Sequence, residues 1–308
     1  MTLWNELALL GRVLIMTSND PRPVRNGGGE AARAGAGPQA GRAGSRLAAL
    51  RSSRFVVATA KPKVRSSVVT VRMLTGGAGM LPGFLIVGAQ RSGTGSMDRA
   101  LRQHPAMFGG ILREEVHYFD LHYDRGMGWY RSHFPFRSWA RWATRAAGSS
   151  PVAFDTSPYY MFHPLAAERI ARDLPGVKLL VLVRDPVERA YSAHAHETFF
   201  GHESEPFERA LELESTRLAG EAERIVADRG YASHSHQHHA YRARGQYAEQ
   251  LERLDRLVGR DRIHVVESQA FFTSPEPAYD GVLEFLTSTA TASRSRIHRG
   301  SVTGCCRT

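Results

Sequence analysis

Two runs in this chain are apolar at every position, Phe84-Leu-Ile-Val87 and Leu179-Leu-Val-Leu-Val183, and each ends where glycine or charge takes over. A strand that is apolar on consecutive residues buries both of its faces, as the central strands of a parallel sheet do. Around these runs the periodicity alternates. A helix is predicted over Ser96 to His104, a mixed aromatic region over 115–142, a short strand over Val152 to Phe154 and a helix over Pro164 to Leu174. Then follow a strand over Val177 to Val183, a helix from Val187 to about Phe200, and helices near 206–227 and 241–258. The last of these carries Leu251, Leu254, Leu257 and Val258 on one face. A strand over Ile263 to Val266 and a helix over Tyr279 to Leu286 complete the series. Strand and helix in alternation predict an α/β fold, a three-layer sandwich with a central, mainly parallel sheet.

The ends read differently from the middle. Residues 1–80 contain only Trp4 and Phe55 of the chain's 28 aromatics and are rich in Gly, Ala, Arg and Ser. Such a segment buries too little apolar surface to offset the entropy of ordering it, so it is expected to be a disordered extension. A true start at Met73 or Met80 accounts for the same composition. After Leu286 the periodicity stops, and residues 287–308 are expected to be an irregular tail or a truncated or frame-shifted end. The folded part is assigned to 81–286.

The formal charge of +10 belongs to these ends. Residues 1–80 carry a net +9 and residues 287–308 a net +4, which leaves about −3 for the domain between them. That balance leaves no basic excess on the folded part to suggest a duplex-binding surface, so no specific nucleic-acid partner is expected, only non-specific attraction of the tails to polyanions. Leu7 to Met16 is split by Arg12 and too short to span a bilayer, so no membrane anchor is expected and the location is read as cytoplasmic. Cys305 and Cys306, the only cysteines, are adjacent and supply neither a staple nor a metal site.

Chemistry concentrates after the two apolar runs. In Gly88-Ala-Gln-Arg-Ser-Gly-Thr-Gly-Ser96 the glycines let the backbone turn sharply and approach an anion, and the amides of Gly93 to Ser96 open a helix whose dipole favours negative charge. The loop is P-loop-like, yet Thr94 stands where a nucleotide triphosphatase has lysine, and Gly95 follows it in place of the magnesium-holding hydroxyl. A phosphate or phosphosulfate site that works without the Lys–Mg pair is the reading that fits. The second constellation, Arg184-Asp-Pro-Val-Glu-Arg-Ala-Tyr-Ser192, leaves the other apolar strand at its C-terminal end, where open α/β sheets bind ligands. On its own Arg184 reads as a surface arginine at a helix start; beside the phosphate loop, Arg184 and Ser192 read as a second anion holder.

With these residues in place the chain resembles the PAPS-dependent sulfotransferases, closest to the branch of the heparan sulfate N- and 3-O-sulfotransferases and their bacterial relatives. The resemblance runs through GAQRSGTGSM, EVHYFD (115–120), GWYRSHFP (128–135), SPYYMFHP (157–164), RDPVERAYSAHAH (184–196) and RGQY (244–247), in order, over about 83–286. It implies a 5′-phosphosulfate held by Arg91, Ser92, Gly93, Thr94, Gly95 and Ser96, and a 3′-phosphate held by Arg184 and Ser192. It further implies Glu115 as catalytic base and His196 near the sulfuryl group, with PAPS as co-substrate, no metal, and a glycan, glycolipid or small-molecule acceptor. Sulfuryl transfer asks for such residue types: an in-line nucleophile, a carboxylate for its proton and donors for the leaving oxygen.

Several details depart from the pattern or stay open. Arg91 stands where the family often has a catalytic lysine; the chain's lysines are Lys61, Lys63 and Lys178, and Lys178 starts its strand away from the site. Arg91 keeps the positive charge but cannot donate its proton. The aromatics around Glu115 are expected to desolvate it and raise its pKa toward base duty. His117 and His194 are expected to be packing or surface residues, and His196 either site or scaffold. Tyr159, Tyr160 and Trp129 are core aromatics or an acceptor platform. His234, His236, His238 and His239 are read as a solvated loop rather than a metal site. Nothing after Leu286 matches the family's basic nucleotide-covering loop, and Arg294 and Arg296 are a poor substitute. Two other readings are a P-loop kinase-like phosphotransferase with Asp185 as metal ligand and a catalytically impaired nucleotide-binding remnant.

Overall fold

The computed structural model describes residues 78–288. The expectations for the N-terminal extension before residue 78, for Cys305 and Cys306 and for the tail beyond residue 288 therefore lie outside the described residues. Five parallel strands form one sheet: β1 (Pro82–Gly88), β2 (Met107–Phe108), β3 (Val152–Thr156), β4 (Lys178–Val183) and β5 (Ile263–Glu267), in the order β2-β3-β1-β4-β5. The order explains the two apolar runs, since β1 and β4 are neighbours with strands on both outer sides.

Side chains leave a strand on alternating faces, and both faces here are apolar. Leu85, Val87, Leu179 and Val181 enter one core, together with Ala153, while Phe84, Ile86, Leu180, Leu182 and Phe154 enter the other. The first core is covered by α2 (Tyr118–Leu121), α3 (Gly126–Ser132), α5 (Ala166–Asp173) and α10 (Tyr247–Val258), which contribute Phe119, Tyr130, Ile170 and Leu254. The second is covered by α1 (Thr94–Leu101), α11 (Ser268–Thr273) and α12 (Pro275–Thr287), through Met97, Leu101, Phe271 and Val282. A helix α4 (Arg137–Thr144) packs at the side of the first core through Ala140. The three-layer α/β architecture is as expected.

Beyond the sheet, α6 (Pro186–Phe199), α7 (Phe207–Leu218), α8 (Glu221–Ala227) and α9 (His234–His238) form an outlying group around Ala190, Ala193, Ala210 and Tyr241. Three details correct the sequence reading. His234–His238 is a short helix, not a solvated loop, because Ser233 caps it by accepting from the His236 amide at 3.0 Å; His236 faces inward and is buried. Leu257 is exposed at 37%, so the apolar face of α10 is Leu254 and Val258 with Leu251 at its margin. The last helix begins at Pro275, four residues before Tyr279, because proline at its first turn loses no hydrogen bond there.

Candidate functional site

The chain steps from β1 leftward to β2 and β3 and from β4 rightward to β5, so β1 and β4 flank the point where the connections diverge. Loops leaving two such strands open a crevice at their carboxyl ends. The glycine loop follows β1 and the Arg184 segment follows β4, so both sequence constellations sit at that crevice. They leave at the same height, as the Ala89 amide donates to the Leu182 carbonyl at 2.7 Å.

The glycine loop is built to present bare amides. Gly93 adopts φ 88°, a left-handed conformation that costs glycine little, and serves as the N-cap of α1 with no side chain covering the cap. The Ser96 and Met97 amides both turn back to the Gly93 carbonyl. The amides of Thr94 and Gly95, in the first turn, have no intrahelical acceptor and face outward with the positive end of the dipole. A Cβ on Gly95 would meet nothing within 4 Å, so that side is open. Ser92 plays a different part from the one expected. It is fully buried, its amide closes the turn onto the Ala89 carbonyl at 3.1 Å, and its hydroxyl has no partner. Thr94 is buried as well, which leaves its backbone rather than its side chain for an anion.

Arg91 adopts φ 68° and reaches across the crevice, where its Nε donates to Ser192 Oγ at 3.2 Å. Partial burial and the Arg184 guanidinium both press its pKa below the usual arginine value, while Glu197 and Glu115 push the other way. Arg91, Arg184, Ser192, Glu115 and Glu197 therefore share one electrostatic neighbourhood. Asp185 caps α6 by accepting from the Val187 and Glu188 amides, each at 2.9 Å, which orients the start of the helix and directs Arg184 and Ser192 to one side. Arg184 is turned onto Glu188 Oε2, at 3.1 Å through Nε and 3.0 Å through Nη2. This is an exposed i,i+4 pair of the kind that contributes little, so it releases at small cost to an anion with more charge.

Glu115 is not desolvated as expected: its side chain is 50% exposed, because the aromatics that follow it, Tyr118 and Phe119, pack inward and away from it. What holds it is His117, which the sequence reading placed among packing or surface residues. His117 Nε2 donates to Glu115 Oε2 at 2.9 Å and Nδ1 donates to buried Asp120 Oδ2 at 2.8 Å. Burial alone would lower the His117 pKa, but the charge and hydrogen bond of Asp120 and then Glu115 outweigh it and raise it to about 10. The ring is thus an imidazolium clamped between two carboxylates. Its backbone, at φ 54°, is held by the His117 amide donating to Ser157 Oγ at 3.1 Å, and Ser157 in turn donates to buried Asp155 at 3.1 Å. Burial raises Asp155 to about 6 in spite of hydrogen bonds from Tyr160, Tyr130 and Ser157.

His196 lies one turn beyond Ser192, with Nδ1 3.5 Å from Glu197 Oε1, too long for a good hydrogen bond. Glu197 is the residue that sequence reasoning missed. Burial would raise its pKa, but the imidazoles of His196 and His238 hold it down to about 2, with the 2.8 Å bond from His238 Nδ1 the firmer hold. Gln90 reaches the same carboxylate at 3.5 Å, and buried Arg244 donates to Gln90 Oε1 and to the His236 carbonyl at 2.9 Å. The RGQY segment is therefore a brace, with Tyr247 Oη donating to the Arg184 carbonyl at 2.9 Å. His194 packs as expected, donating to the Glu205 carbonyl at 2.8 Å. Tyr159, Tyr160 and Trp129 are all buried, so of the two readings left open for them the core one applies. Lys178 sits at the far end of β4, bonded to the Phe285 and Leu286 carbonyls.

The molecule is thus an α/β protein whose uncapped helix end and two arginine-bearing segments lie at the switch point of a parallel sheet, the place where open sheets of this class bind ligands. The model of the sulfotransferase family matches residues 82–291, well over half of the chain, and the chain belongs to that family. It is similar to heparan sulfate glucosamine 3-O-sulfotransferase 5 of Homo sapiens, 26% identical over 208 residues that cover 67% of this chain and 53% of the relative. The 3-O-sulfotransferase 6 of Homo sapiens is 36% identical over 114 residues, 37% of this chain and 30% of the relative. Membrane-associated sulfotransferase kil1 of Dictyostelium discoideum is 32% identical over 114 residues, 37% of this chain and 22% of the relative. The chain thus spans about half the length, or less, of these curated relatives. A solved sulfotransferase structure from Alicyclobacillus acidocaldarius aligns over 68% of this chain and 82% of that chain, at 28% identity and a TM-score of 0.48. Among the described residues no helix is long and apolar enough to cross a membrane.

Proposed function

We propose that the protein transfers a sulfuryl group from PAPS to a hydroxyl or amine of a carbohydrate-like acceptor. Family membership supports the transfer, and the similarity to relatives named heparan sulfate 3-O-sulfotransferases supports the acceptor class. The single observation that carries the donor assignment is the meeting of Arg91 with Ser192, and of its charge with that of Arg184, across one crevice. Arg91 feels the Arg184 charge even with Glu188 on Arg184 and with Glu197 and Glu115 nearby, a crowding of like charge that an anion with two charged ends relieves.

The residues fit such a donor. The open amides of Thr94 and Gly95 and the Arg91 guanidinium receive the 5′-phosphosulfate end. Arg184, once released from Glu188, and Ser192 receive the 3′-phosphate. Bound there, PAPS supplies the activated sulfuryl group. Arg91 stabilises negative charge growing on the leaving phosphate, without donating a proton. Glu115 takes the proton of the attacking hydroxyl or amine, held in place by the His117 clamp, whose second carboxylate at Asp120 keeps the ring charged. His196 stands on the α6 side of the same crevice and is assigned to the sulfuryl oxygens.

A labelled-PAPS screen over glycans, glycolipids and small hydroxyl or amine acceptors tests the reading. It expects label on at least one carbohydrate acceptor, abolished by Glu115→Gln. Transfer that persists in Glu115→Gln removes the base from its role, and no transfer to any acceptor contradicts the activity.

A further inference from the structure

A cluster of imidazoles behind the crevice has no part in this chemistry. Helix α9 places His234 and His238 four residues apart, on one face, while His236 points inward against Tyr159 and Phe162. His202, from the turn after α6, comes up opposite them, its ring stacked on that of His238 at 4.0 Å between centroids. One ring nitrogen from each of His202, His234 and His238 lies within 4.8 Å of the others. Zinc–nitrogen bonds of about 2.0–2.1 Å in a tetrahedral site set the nitrogens roughly 3.4 Å apart, a closure that side-chain rotation supplies.

The geometry points to a site for a divalent transition ion of the zinc class at His202, His234 and His238, and we propose it as such. Two further features fit a metal. His238 donates Nδ1–H to Glu197 Oε2 at 2.8 Å, which fixes the tautomer and leaves Nε2 as a bare lone pair aimed away from the carboxylate. A histidine backed by a carboxylate in this way is the usual outer support of a metal ligand. His239, next to the cluster, donates Nε2–H to the His202 carbonyl at 2.9 Å and so pins the backbone that carries the third ligand. Three imidazoles without a thiolate suit Zn²⁺, Cu²⁺, Co²⁺ or Ni²⁺, and the exposure of His202 and His234 leaves a fourth position for water. The site is separate from sulfuryl transfer, and its occupancy would steady Glu197, the carboxylate that also meets Gln90 of the phosphate loop.

Calorimetric titration of the full chain with Zn²⁺ tests the site, with any affinity tag removed and with Cys305→Ser and Cys306→Ser in the background so that thiols do not compete. His202→Ala and His234→Ala remove exposed ligands and leave the Glu197 contacts intact, so metal-free circular dichroism and melting should match the parent. The expected result is one equivalent bound, with affinity at least about 100-fold weaker in either variant, by comparison with the 10–100-fold that outer-sphere partners alone command. Co²⁺ should give the intense visible bands of a tetrahedral nitrogen set in the parent only. No saturable binding, or binding unchanged in both variants, overturns the proposal.

Discussion

Among the described residues, the non-glycine residues in the left-handed region are Arg91 and His117. Each such residue costs about 1–3 kcal/mol and persists where its surroundings hold it, commonly at functional sites. Arg91 lies in the loop after β1 and contacts Ser192, and His117 holds Glu115. Arg91→Ala is expected to lower kcat by about 10²–10³-fold, the cost of losing one charge-stabilising donor, measured by single-turnover transfer; a rate within a few-fold of the parent contradicts the role. His117 makes a different prediction. Its folded pKa of about 10 stands above the ordinary 6.5, so the stability it contributes is complete below pH 6.5 and is lost as pH rises through 10. Urea midpoints of the parent and of His117→Gln should converge over that window, and a constant difference from pH 6 to 10.5 would mean that His117 is neutral. Arg91, Arg184 and Ser192 were legible as residues because their motifs are local. The His117 clamp was not, because Glu115, His117 and Asp120 converge only through a left-handed turn that no spacing announces. Nor was the exposure of Glu115, since an aromatic-rich stretch says nothing about the side on which its rings pack.

At the scale of elements, the crevice depends on how α6 is seated. Gly245 passes so close to its start that a Cβ would lie 2.9 Å from Pro186 Cβ. Gly245→Ala is therefore expected to push α6 outward, destabilise the protein by about 1–3 kcal/mol as an overpacked contact does, and weaken donor binding through displaced Arg184 and Ser192. Thermal melting and donor titration of the same variant check both; lost stability with unchanged donor affinity would separate α6 from the site. The long elements were legible because β1 and β4 are apolar on both faces and α6 starts at Asp185-Pro186, a cap and a proline that mark a helix start. Strand β2, at two residues, carries no period to detect. The helix His234–His238 was hidden because its three histidines have neither an apolar period nor strong propensity, and its support is tertiary: Ser233 at the cap and Arg244 on the carbonyls of His236 and Gln237.

For the whole molecule, alternating strand and helix signals sufficed for the layer architecture, whereas the strand order came only from the structure. That order matters, since it makes β1 and β4 neighbours and so brings two motifs about ninety residues apart in the chain to one edge. The net negative charge of the middle of the chain, set against clustered arginines in the crevice, agrees with a focused anion site rather than a broad basic face. Calorimetry of the full chain with adenosine 3′,5′-bisphosphate, repeated on Arg91→Ala, Arg184→Ala and the double variant, tests this juxtaposition most directly. One molecule should bind, each single variant should weaken it by about 10–100-fold, as loss of a charged hydrogen bond does, and the double variant should lose it further. Affinity left unchanged by Arg184→Ala, with Arg91→Ala alone disruptive, would mean that the two arginines do not grip one nucleotide.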